Sequence, residues 1–189
     1  MKKLTLIFFG SIAMTFISCD IESIENTVLE NLDSQTIIEN SVEIENLGEA
    51  CVIVNLIAGQ HHEAGNVTVY NDGENLIFVY TSNEDWTIDL THLSVGNCDE
   101  DWVPLTGSGN PKIGRFEFTE PYSVSDHEVV YVISLEDLND NYCFAAHAEV
   151  QGPTGGETAW AEGPSFSGNS WAMFVEALLS DCDEGVPSY

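Results

Sequence analysis

From Cys51 onward the chain breaks into short runs rich in Val, Ile, Tyr, Phe, Trp and Thr, each bounded by Gly, Pro, Asn or Asp, and no run between 51 and 170 keeps a helical period. CVIVNLIAG, NVTVYND, NLIFVYTS, WTIDLTHLSVG, RFEFTE, HEVVYVISL, YCFAAHAEV, ETAWAEG and WAMFVEAL read as strands. Asn71-Asp72-Gly73 falls where a hairpin between the second and third run needs positive φ. The expected fold is all-β, an antiparallel β-sandwich over residues 51–189, either immunoglobulin-like or jelly-roll-like. Val129 to Ile133 lacks alternation, which places it at the sandwich centre with both faces covered.

Four cysteines lie in this region: Cys51, Cys98, Cys143 and Cys182. An even number in an exported chain implies two disulfides, with three connectivities open. Cys51 and Cys182 bracket the domain, and domain termini often lie close together, so the expected pairs are 51–182 and 98–143. If the strands carrying the second pair run antiparallel with Cys98 opposite Cys143, then Ser94 faces His147 and His92 faces Glu149. The other face then collects Leu93, Val95, Phe144, Ala146, Ala148 and Val150 as a core surface. Trp86, Ile88 and Leu90 are apolar at even positions, whereas Leu93 and Val95 continue at odd ones. A β-bulge near Thr91-His92 would reconcile the two.

Ahead of the β-rich region, residues 1–18 form a basic start, an apolar stretch and a small-residue approach to Cys19, the pattern of a bacterial lipoprotein signal with Cys19 as the lipidated residue. Residues 19–50 lack Lys, Arg, aromatic residues and proline, and read as an acidic tether, although Ile21, Ile24, Val28 and Leu32 have helical spacing. Beyond Cys19 only Lys112 and Arg115 oppose 32 acidic residues, a formal charge of −30. Such a chain repels phosphate, which argues against nucleic acid as a partner and makes the lipid the expected route to the membrane. The expected location is the envelope, at the outer membrane or cell surface.

The candidate sites follow from this layout. His92, His147 and Glu149 could supply two imidazoles and a carboxylate to a metal, the basis for a metal-dependent enzyme, or could form a hydrogen-bonded patch. Asp99, Glu100 and Asp101 form a candidate calcium site, the one cofactor considered. Trp160, Phe166 and Trp171 either stack on sugars beside Glu157, as in a carbohydrate-binding module, or close the end of the core. Paired carboxylates carry no evidence of glycosidase chemistry in so acidic a chain.

The NVTVYNDGENLIFVYT hairpin, WTIDLTHLSVG, GNPKIGRF, AAHAEV and ETAWAEG, with Phe166 and Trp171 behind them, resemble a recurring uncharacterised extracellular β-domain of bacterial surface and secreted proteins. The likeness runs from about Leu56 to Phe174 and matches Gln60, His92, Gly96, His147, Glu157, Thr158, Ala159 and Trp160. It implies an envelope or secreted module of adhesion type and supplies no catalytic residue. The cysteines and His61-His62-Glu63 lie outside the matched pattern. Together these features lead to the expectation of a lipid-anchored, non-enzymatic interaction module whose partner is an envelope protein or a glycan.

The anchor is directly testable. Cys19→Ala should move the protein out of the membrane fraction or leave it unprocessed, because stable attachment needs the acyl chains. A Cys19→Ala protein that fractionates with the membrane like the parent would contradict the lipoprotein assignment.

Overall fold

The structure, a computed structural model, describes residues 47–185. The expected signal, Cys19 and most of the expected tether lie outside the described residues.

Each expected run is a strand: β1 (Val52–Ala58), β2 (His62–Asn71), β3 (Asn75–Ser82), β4 (Thr87–Asn97), β5 (Phe118–Asp126), β6 (Glu128–Ser134), β7 (Asn141–Gly152), β8 (Gly155–Ala161) and β9 (Val175–Leu178). All the pairings are antiparallel. The strands form one nine-stranded sheet in the order β5-β4-β7-β8-β1-β2-β3-β6, with β9 attached to β7. The fold is therefore all-β and antiparallel, with one sheet curled nearly into a barrel. Its hydrogen bonding does not divide it into two separate sheets.

Curling brings the two ends of the sheet, β5 and β6, back toward each other. Only His127 separates them in sequence, and its carbonyl accepts a hydrogen bond from the Ser82 amide. Phe118 packs on Tyr131 with ring centroids 6.1 Å apart. Across the interior, Tyr131 and Thr91 hydroxyls meet at 2.6 Å, and the Tyr80 hydroxyl donates to the His92 carbonyl. These bonds give buried hydroxyls partners while tying the β4 wall to the β3 and β6 wall.

The hairpin turn behaves as its residues dictate. Gly73 takes φ +93°, Asn71 accepts from its amide, and Asp72 accepts from the amides of Glu74 and Asn75. The Val129–Ile133 expectation is corrected. Val129, Tyr131 and Ile133 are buried, but Val132 is 42 % exposed, because β6 buries only the face that it turns to the barrel interior. Strands buried on both faces are β3, where Ile77 and Val79 are nearly as inaccessible as Leu76, Phe78 and Tyr80, and β7, where every residue from Tyr142 to Ala148 is buried.

The pairing of β4 with β7 has the expected direction and parity. His92 faces His147, Ser94 faces Ala145, Gly96 faces Cys143 and Leu90 faces Glu149. The expected partners, Ser94 with His147 and His92 with Glu149, are thus displaced by two residues. The reason is that Cys98 lies just beyond the strand end and reaches Cys143 from there, with a Cα separation of 5.0 Å. A two-residue shift preserves faces, so Leu93, Phe144, Ala146, Ala148 and Val150 do line the core, and Val95 packs against it. The parity change also occurs, but earlier than expected: the register shift falls between Ile88 and Leu90, leaving Asp89 as the extra residue.

Both expected disulfides are present, Cys51–Cys182 and Cys98–Cys143. The first joins the start of β1 to the short 3-10 helix Leu179–Gly185, closing a separation of 131 residues. The second spans 45 residues. Chain entropy assigns about 5 kcal/mol to the longer loop and about 4 kcal/mol to the shorter. Each Cys pair replaced by Ala should lower the denaturation midpoint substantially, and peptide mapping without reductant should recover 51–182 and 98–143. A midpoint insensitive to either replacement would contradict this account of the fold.

Candidate functional site

Opposite the barrel interior, the outer face of β4, β7 and β8 carries a second layer. On β7, β9 pairs with residues 141–144 and β8 with residues 147–152. The chain leaves β8, crosses the outer face through residues 162–174, and returns to the same strand as β9. From the other side, residues 98–117 between β4 and β5 do the same. Val103, Phe116, Ala145, Trp160, Phe166 and Ala172 form the resulting second core, with Trp102, Met173 and Phe174 packed against it. Sequence dictates two of its anchor points. Gly96 lets Trp102 lie against the strand, since a Cβ there would sit 2.8 Å from the Trp102 Cβ. The Ser94 hydroxyl then donates to the Trp102 carbonyl at 3.0 Å.

Under this layer lie His92 and His147, 8 % and 3 % exposed, with their Nδ1 atoms 3.2 Å apart. One ring donates and the other accepts, so the pair shares a single Nδ1 proton. His147 also meets the edge of Trp160, with centroids 4.9 Å apart. Burial pushes the His147 imidazole down to about 3, and the neighbouring His92 adds to the effect. Burial also lowers His92, against the opposing charge of Glu149. The sequence correctly brings the two histidines together, but the metal centre is not formed. Among the described residues no three His, Cys, Asp or Glu side chains are grouped to hold a metal. Glu149 stays exposed on β7 and faces Leu90, while the imidazoles spend Nδ1 on one another. The same finding corrects the calcium candidate: Asp99, Glu100 and Asp101 are exposed and their carboxylates do not converge.

The sugar-stacking set is also corrected. Trp160 is 2 % exposed and packs edge-on against Phe116 as well as His147, so no ligand reaches its face. Glu157 faces Val150 whereas Trp160 faces His147, which puts them on opposite faces of β8. The Glu157 carboxylate lies against Gly59 in the β1–β2 turn, next to Gln60, a non-glycine residue at φ +72°. Trp171 is half-buried and, with Gln60, His61 and Met173, lines a depression of about 290 Å³. Of the resemblance's positions, His92, His147, Ala159 and Trp160 are buried beneath the loops or in the barrel wall.

What sequence reasoning missed is a larger cleft, about 590 Å³, opening between the two covering loops. The Cys98–Cys143 disulfide lies at its floor, Trp102, Phe166 and Phe174 form its apolar wall, and Asp99 and Glu176 bring carboxylates to it. Phe166 and Phe174 pack with centroids 5.1 Å apart, and Trp102 touches both. Gly96 near the end of β4, followed by an acidic turn and Trp102, signals a close approach at that strand end but not the cleft itself. No family model, curated protein or solved structure matches the chain.

The buried imidazoles have a consequence for stability. The unfolded histidines take up protons near 6.5, whereas the folded ones resist them, so the unfolded state binds more protons as pH falls below that value. Stability due to His147 is complete above about 6.5 and is lost as pH falls toward about 3, with a slope of up to about 1.4 kcal/mol per pH unit, and His92 contributes in the same direction. Denaturation midpoints of the parent and of His147→Gln, measured from pH 8 to 4, should show a shallower acid loss in the variant. Parallel curves would mean that the pair is not held neutral.

Proposed function

We propose that this chain is a lipid-anchored envelope or surface protein whose β-domain is a non-enzymatic interaction module of adhesion type. The observation that carries the reading is the open cleft between the two covering loops, held at its floor by the Cys98–Cys143 disulfide. A sheet carrying two long loops tied to one another, as by the Ser170 amide donating to Asn110 Oδ1, is the usual arrangement for a binding surface. Two disulfides suit an oxidising compartment, in keeping with the lipoprotein-type signal and with the resemblance to extracellular β-domains. The histidine pair is assigned a structural role, because its rings are turned to one another and covered.

The barrel-like sheet also works as two facing walls, β5-β4-β7-β8 and β1-β2-β3-β6, the arrangement of an immunoglobulin-like or jelly-roll sandwich. Edge-on packing of Phe78 on β3 against Phe144 on β7, at 5.1 Å, supports that description. The charge of the chain supports a membrane contact through lipid and argues against phosphate-rich partners. The carbohydrate alternative, stripped of Trp160, rests on Trp171 and Gln60 at the smaller depression.

Photo-crosslinking in intact cells tests the module. A benzophenone side chain at Leu105, 39 % exposed at the cleft, should form adducts with an envelope component, whereas one at Val132 on β6 should not. Absence of adducts at both positions, or equal adducts at both, would contradict the cleft as contact surface.

A further inference from the structure

The ionisable groups lining the large cleft are Asp99 and Glu176, and both are carboxylates. Its two cysteines are spent in a disulfide. Against these anions stand Trp102 and Phe174, both half-buried, with the exposed Leu105 beside them. Asn141 donates its side-chain amide to Glu176 Oε1 at 3.3 Å, which orients one carboxylate without neutralising it. Aromatic faces and carboxylates share one complement, an organic cation: the ring quadrupole attracts it and the carboxylate pairs with it.

Resting on the reading of the cleft as the contact surface, we propose that it binds the guanidinium group of an arginine presented by a basic protein segment. Arginine fits better than lysine, because its planar, weakly hydrated head can lie on an aromatic ring while its N–H fork meets a carboxylate. Its aliphatic stem suits the apolar rim at Leu105. The volume of about 590 Å³ accommodates one such side chain and the backbone that carries it. The formal charge of −28 on the whole chain draws basic segments toward the surface, and the aromatic wall distinguishes this position from the rest of that surface.

The test uses the full chain in non-ionic detergent and a labelled peptide, acetyl-Gly-Arg-Gly-Arg-Gly-amide, beside the same peptide with citrulline in place of arginine. At fixed ionic strength the arginine peptide should bind and the citrulline peptide should not. Asp99→Asn with Glu176→Gln should weaken binding by about tenfold or more, as loss of charge-assisted pairing implies. Trp102→Leu should weaken it too, but it disturbs the packing against Gly96, so the carboxylate pair is the deciding variant. Glu84→Gln with Asp85→Asn, exposed carboxylates between β3 and β4, should change affinity by less than about twofold.

Equal losses in the two carboxylate pairs would reduce the attraction to general charge and overturn the proposal, as would equal binding of the citrulline peptide. Binding of chitohexaose that depends on Trp102, with no binding of the arginine peptide, would also overturn it while leaving the cleft as a contact surface for glycan. No binding of either probe, together with no adducts from Leu105, would remove the interaction reading itself.

Discussion

Strands β4 and β7 pair along almost their full length, and that pairing places both the wall of the main core and the outer layer built on it. On the inner side it sets Leu93, Phe144, Ala146 and Ala148 into the main core. On the outer side it sets His92 opposite His147 and leaves Ala145 and Gly96 as low points on which loops can settle. A wall covered on both sides must carry small residues somewhere, since two layers of large side chains cannot both approach it closely. The run Ala145, Ala146, Ala148 supplies them, with the Cys98–Cys143 bridge closing one end.

The histidine pair is what the outer layer costs in polarity and also what fixes its position. Two imidazoles withdrawn from water need partners, and each provides the other's at Nδ1. The aromatic contacts that begin at His147 and Trp160 continue through Phe166 to Phe174 and Trp102, so the covered pair and the open cleft are two ends of one packed layer. A ligand in the cleft would rest on side chains whose positions depend on the buried end.

Much of the fold could be read from local pattern. Strand runs, the Asn71-Asp72-Gly73 turn, both disulfides and the face assignments of β4 and β7 depend on alternation, turn chemistry and cysteine parity. The register itself was misplaced by two residues because alternation is blind to an even shift, and a disulfide between a strand residue and a loop residue does not require direct opposition. Val129–Ile133 departs for a related reason: a continuous apolar run does not say whether the outer face of the strand is covered. Trp160 was legible as core by size, whereas Glu157 seemed its neighbour only in sequence, since an odd separation sends the two to opposite faces. The cleft was not legible, because Trp102, Asn141, Phe174 and Glu176 come from segments brought together by how β4, β7 and β9 meet.

The most direct test of this account is nitrogen NMR of the imidazoles of His92 and His147 between pH 8 and 5. If the loops cover the paired strands as described, His147 remains neutral across the range, His92 takes up its proton only below the ordinary histidine value, and one Nδ1 carries the proton shared by the pair. Titration of His147 near the ordinary histidine value of about 6.5 would mean that water reaches the pair, and that the layer from which the cleft is built does not close over the sheet.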